Sequence, residues 1–228
     1  MLSHLSTSDY KLYLNGREVK MVEHCEYLGI IIDCDLKWQN HIDYLYNKLI
    51  KFVSIFYKIR TKVPQDVLSM IYFAFVHSHL LYGIEVYANI TTNHLSKLIV
   101  LNNKLLRILQ YKSIKSHSID LYKTYSTLPI QLLHNYQILI FIHKYVYNKD
   151  KLPRVFSNYF EENSLFHCYD TRQKDHFHTY TVLSDLGKKS VKYKGSKLWN
   201  ALPLDVKDIK SLQTFKCALR KYMLHSGT

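Results

Sequence analysis

The stretch Glu26–Trp38, EYLGIIIDCDLKW, decides the fold. It is a short apolar run that ends in two acids and a tryptophan, and beyond Trp38 the hydrophobic period changes. Read at period two, Tyr27–Ile32 is a strand, with Leu28, Ile30 and Ile32 on one face and Tyr27, Gly29 and Ile31 on the other. Both faces are apolar, which predicts cover on both sides. A glycine inside such a strand predicts the close approach of a neighbour that a side chain would block. Asp33 and Asp35 are two apart, so an extended chain turns both carboxylates to one side, where they could share a divalent ion. No third acid stands at a recognisable spacing. The competing reading puts Asp33 at the strand end and Asp35 at or before the cap of the next helix.

Upstream, Tyr10–Leu14 and Glu18–Val22 flank Asn15–Gly16. An Asn-Gly pair between β-like runs predicts a two-residue hairpin, because both turn residues need positive φ. Downstream the period becomes helical. Ile42, Leu45, Leu49, Phe52, Phe56 and Ile59 form an apolar stripe, while Lys48, Lys51, Lys58 and Lys62 form a ridge on another side. That ridge is either a solvated face or a phosphate-contacting one. Pro64 ends this helix and opens the next. Val67–Tyr82 is apolar nearly all round and reads as the central helix of a bundle. His77, Ser78 and His79 interrupt the apolar run, which favours a core helix over a membrane span. Gly83 is a stop or a close-packing point. Further helices are predicted over about 93–110, with Lys97, Lys104 and Arg107 facing outward, over 119–125, and over 130–147. Ser211 caps a last helix carrying Leu212, Phe215, Leu219 and Tyr222.

Gly and Pro are scarce, which disfavours a turn-rich β architecture. The predicted fold class is mainly α: a helical bundle with a small N-terminal antiparallel β-hairpin plus strand. The chain divides into a β part at 1–36, a helical bundle at 37–147, and an irregular connection with closing helices at 148–228.

The formal net charge is +13, which favours a polyanionic partner such as nucleic acid. Part of that excess is compositional, because Lys, Tyr, Ile and Asn share A/T-rich codons. Cys25, Cys34, Cys168 and Cys217 are far apart and form no CxxC pair, which predicts free thiols in a reducing, intracellular setting. The first twenty residues carry Asp9, Lys11, Arg17 and Lys20 and no apolar core, so no signal peptide is predicted. His167, Cys168, His176 and His178 are a metal-like cluster whose spacing matches no familiar zinc pattern. There is no Gly-rich phosphate loop, no GxSxG and no HExxH. Twenty tyrosines are present, most of them suited to the core or its edge, and some able to stack on bases or sugars.

Several motifs, in order, carry a family resemblance. EYLGIIIDCDLKWQNHI, IFYKIRTKVPQDVLSMIYFAFVHSHLLYGIEVY, NNKLLRILQ, LPI, KLPRVF with Thr171–Arg172, and YKGSKLWNALPLDVKDIKSLQTFKCALRKYML span nearly the whole chain. Together they resemble the C-terminal part of a reverse transcriptase from a non-LTR (LINE-type, jockey-like) retrotransposon. Tyr87 departs from that pattern, which often has tryptophan there. The resemblance implies that Tyr27, Leu28 and Gly29 correspond to the primer grip and that the helices after them form a thumb. A thumb clasps an RNA–DNA duplex by shape and backbone contact. Lys48, Lys51, Lys58 and Lys62 are the leading phosphate contacts, followed by Lys97, Lys104 and Arg107. The family's full-length polymerase uses Mg²⁺ held by an aromatic-Ala-Asp-Asp tetrad of the palm. No such tetrad occurs in this sequence, so no cofactor and no catalytic residue are expected in this chain. The implied partners are an RNA or RNA–DNA duplex and the palm and fingers of the parent polymerase, with no membrane. On this reading the chain is a fragment that does not polymerise alone.

Overall fold

The computed structural model describes residues 11–90, 92–166 and 174–226. Asn15 and Gly16 take φ of 51° and 76° and join β1 (Leu12–Leu14) to β2 (Arg17–Val19) in an antiparallel hairpin, with Leu14 opposite Arg17.

The next β unit departs from the expected single strand. Leu28 and Gly29 both have positive φ, 49° and 75°, and form the tip of a second hairpin. It joins β3 (His24–Tyr27) to β4 (Ile30–Asp33), with Tyr27 paired to Ile30. Leucine has no turn chemistry, so the alternating pattern reads straight through it. A left-handed leucine costs on the order of 1–2 kcal/mol, and tertiary contacts hold it there. The Tyr82 hydroxyl donates to the Leu28 carbonyl at 2.5 Å, and Ile30 packs on the Gly83 corner. Cover is one-sided: β4 is half-buried and β3 is exposed. Gly29 therefore serves the turn, and the nearest group to its missing side chain is the Tyr82 ring, 3.6 Å away.

Asp33 turns the chain into the helices. Its carboxylate accepts from the backbone amides of Lys37 at 2.7 Å and Trp38 at 2.6 Å. Helix α1 (Gln39–Leu49) runs almost unbroken through Ile50 into α2 (Lys51–Ile59). Ile42, Leu45, Leu49 and Phe56 of the predicted stripe are buried, and Phe52 and Ile59 pack against the core edge.

Pro64 precedes α3 (Gln65–Tyr72), which continues through a π turn (Phe73–His77) into α4 (Ser78–Leu81). Leu68, Tyr72, Val76 and Leu80 are all buried and spaced by four. Four residues of α-helix advance about 40° beyond a full turn, so the row would drift round the helix. The wider π turn slows that drift and keeps the row on the core. Met70, Phe75 and Tyr82 are left exposed, so this helix is not buried all round as its composition predicted.

Gly83, at φ 68°, leads into α5 (Ile84–Tyr87), and α6 (Thr92–Leu109), α7 (Ser118–Thr124) and α8 (Ile130–Tyr147) follow. Three single 3₁₀ turns then precede α9 (Asp185–Lys188), α10 (Val191–Asn200), α11 (Leu204–Lys207) and α12 (Leu212–Ser226). The packing has two hubs. α1, α2, α3 and α7 lie on α6, while α5, α10 and α12 lie on α8. α8 is the helix surrounded on nearly every side, with Ile138, Leu139, Ile140 and Ile142 all buried. Buried tyrosines tie α3, α6 and α7 together: Tyr72 donates to Asn102 at 3.0 Å, Asn102 donates to Tyr122 at 3.2 Å, and Tyr122 donates to Asn103 at 2.6 Å. Among the described residues no helix is long and apolar enough to cross a membrane.

Candidate nucleic-acid interface

The α1–α2 rod sets the geometry of the lysine ridge. Its apolar stripe packs against α6, and the lysines flank that stripe on one side. Lys48, Lys51, Lys58 and Lys62 are all exposed; at helical pitch the first three fall within about 80° of one another, and Lys62 stands in the turn that follows α2. From Lys48 to Lys58 the row is roughly 15 Å long. None of the four pairs with a carboxylate among the described residues. Tyr44 and Ile55 stand in the same row and are exposed. Lys48 Nζ lies 5.5 Å from the centre of the Tyr44 ring. The ridge thus offers unneutralised cations with an aromatic face at one end, the combination that holds phosphates and stacks on a sugar or base.

The β3–β4 hairpin packs on α1 through β4, with its tip against Tyr82. Tyr27 and Leu28 are exposed. Leu28 and Gly29 touch Tyr82, and three residues earlier His79 feels the charge of Lys48. Burial, then that lysine, holds His79 below the ordinary histidine range. Ile31 donates its amide to His41 Nδ1 at 3.3 Å, and His41 stacks toward Tyr44 with ring centres 6.1 Å apart. The hairpin is therefore linked to the Lys48 end of the ridge through Ile31, His41 and Tyr44.

The second group of cations lies elsewhere and is used differently. Lys97 forms an ion pair with Asp43 of α1 and sits over the Tyr46 ring at 5.7 Å. Its charge is largely spent on holding α6 to α1. Arg107 donates to the Ser116 carbonyl at 3.2 Å. Lys104 is exposed and shares a pocket with Arg107 on the far side of α6. Arg60, also on that pocket, was missed in the sequence. The Tyr57–Arg60 spacing of three on one helix is the signal that could have shown it.

Asp33 and Asp35 do not fit a shared divalent ion. Both Asp33 oxygens are taken by backbone amides, and Asp35 pairs with Lys37 at 2.6 Å. Neither caps α1: Asp33 holds the turn that leads into it, and the N-cap residue is Trp38, without a side-chain cap bond. His167 and Cys168 lie outside the described residues, as do Thr171 and Arg172. His178 stacks on Phe166, ring centres 4.1 Å apart, and bonds to Asn163 at 3.1 Å. Among the described residues no three His, Cys, Asp or Glu side chains converge as metal ligands. Cys25, Cys34 and Cys217 are free thiols.

No protein-family model, no curated protein and no solved structure matches the chain.

Proposed function

We infer that this chain holds an RNA or RNA–DNA duplex by its phosphates, as the primer-grip and thumb side of a non-LTR retrotransposon reverse transcriptase, inside the cell. The observation that carries this reading is the ridge of Lys48, Lys51, Lys58 and Lys62, exposed in a line and unpaired with any carboxylate of the described residues. Lysines held in a row grip a backbone without reading sequence. The exposed Tyr27 and Leu28 at the hairpin tip are the groups that would meet a strand end, and Tyr44 offers a stacking face beside the ridge. Nucleotide addition belongs to the palm of the parent polymerase, whose aspartate tetrad supplies the Mg²⁺ ligands. This chain lacks the tetrad and supplies grip rather than chemistry.

Salt tests the reading. Fluorescence anisotropy with a labelled RNA–DNA duplex should give an affinity that falls steeply with NaCl. Each phosphate contact contributes about 0.9 to the slope of log affinity against log salt for a duplex. Lys51→Gln with Lys58→Gln should therefore flatten the slope by about 1.8. Binding that ignores salt, or none at low salt, favours instead a non-enzymatic helical interaction module whose charge is compositional.

A further inference from the structure

We propose a second ligand site, a pocket for one phosphorylated nucleotide between the C-terminal halves of α2 and α6, on a different face from the lysine ridge and independent of duplex binding. The pocket has a volume of about 270 Å³, room for one small ligand rather than a strand. Arg60, Lys104, Arg107 and Lys112 line it, and no acid does. Among the described residues none of these four pairs with a carboxylate. The negative ends of α2 and α6 account for a cation each. They do not account for four around one hollow.

Two further features point to a nucleotide rather than a bare anion. The Arg60 guanidinium lies 4.7 Å from the Tyr57 ring centre and 5.2 Å from that of Tyr111, and the Tyr111 hydroxyl donates to the Arg60 carbonyl. A stacked arginine is preorganised, with its edge free for forked bonds to phosphate oxygens. Arg107 spends one terminal nitrogen on Ser116, but its Nε is buried and bonded to nothing. The side chain is held in place by that bond and by its burial, and the other terminal nitrogen is the one left for a ligand oxygen. The remaining wall is apolar: Val100 and Ile114 are exposed, and Ile108 is buried between them and the core. A base laid on that wall covers hydrocarbon while its phosphate meets the cations. The same chemistry serves a free nucleotide or the phosphorylated end of a single strand.

Calorimetry on the full chain tests this with a nucleoside monophosphate, the matching nucleoside, and inorganic phosphate. The monophosphate should bind at least about tenfold tighter than either part, since its phosphate makes the charge-assisted bonds the nucleoside lacks and its base covers the apolar wall that inorganic phosphate leaves bare. Lys104→Ala with Lys112→Ala, both exposed and so safe for folding, should weaken it about tenfold or more. Lys51→Ala with Lys58→Ala should leave it unchanged. A 5′-phosphorylated single-stranded oligonucleotide that competes, where its unphosphorylated twin does not, identifies a strand end as the source; failure of both identifies the free nucleotide. Phosphate binding as tightly as the monophosphate overturns the proposal, as does undiminished monophosphate binding by the Lys104/Lys112 variant.

Discussion

Gly83→Ala is the substitution whose cost the geometry sets most closely. Gly83 has φ +68°, and a β-carbon there would come within 2.4 Å of Ile30 Cδ1 and 3.2 Å of Ile30 Cγ1. The first part of the cost is backbone: alanine in the left-handed region costs about 1–2 kcal/mol. The second is overlap: Ile30, packed at the edge of the core, must move, at roughly 1–3 kcal/mol. The sum is about 2–5 kcal/mol. Urea unfolding should register it as a midpoint lowered by about 1–2 M for an m-value of roughly 2–3 kcal/mol per M. The two parts separate in an Ile30→Ala background, which removes the overlap and leaves the backbone part. There Gly83→Ala should cost only about 1–2 kcal/mol. The difference between backgrounds is the coupling of hairpin tip to helix corner. An equal cost in both backgrounds would refute the reasoning, because Gly83 would then be needed only for its φ.

Asp33→Ala should cost about 1–3 kcal/mol, because it removes two hydrogen bonds to the Lys37 and Trp38 amides in the turn before α1. Asp35→Ala should leave the unfolding midpoint where it was, and an equal loss at both positions would contradict the role given to Asp33 in that turn. Acid should destabilise the fold through His77 and His134, which burial pushes down to about 4. Both are neutral when folded, so their stabilisation is complete above the unfolded value of 6.5 and is lost as pH falls towards 4. Each contributes on the order of 3 kcal/mol, of which about 2 kcal/mol is gone by pH 5. Urea midpoints at pH 7 and pH 5 should differ accordingly, and His134→Gln should narrow the gap; a gap unchanged by that variant would assign the acid sensitivity to other groups.

How much of this was legible follows from where each signal resides. Asn15–Gly16 carries its own turn chemistry, and the hairpin forms there. Pro129 and Asn148 bound α8 at the predicted residues because a proline start and a loss of periodicity are local facts. Leu28–Gly29 was read through because its turn is held from a distance, by Tyr82 and Gly83, which sit more than fifty residues away. The hub position of α8 was likewise hidden. Val67–Tyr82 has the more uniform apolar run, but its four-residue spacing and π turn commit one face to the core and leave Phe75 and Met70 outside. Which of two apolar helices is surrounded depends on what α5, α10 and α12 do, and that is not a local property.

The cations show the same division in a form that bears on function. A helical wheel gives Lys97 and Lys58 the same standing, since both are outward lysines on amphipathic helices. The fold separates them. α1 and α6 pack side by side, which brings Asp43 to Lys97 and uses that charge internally. Among the described residues no carboxylate pairs with Lys48, Lys51, Lys58 or Lys62. Past Leu95, α6 carries no acid at all, and where it meets the end of α2 the cations gather around one pocket. A net charge of +13 would be weak grounds for polyanion binding if it were evenly spread and evenly paired. Eight of the 31 lysines and arginines stand in two groups that pair with no carboxylate among the described residues, one linear and one concave, and the two shapes suit different ligands.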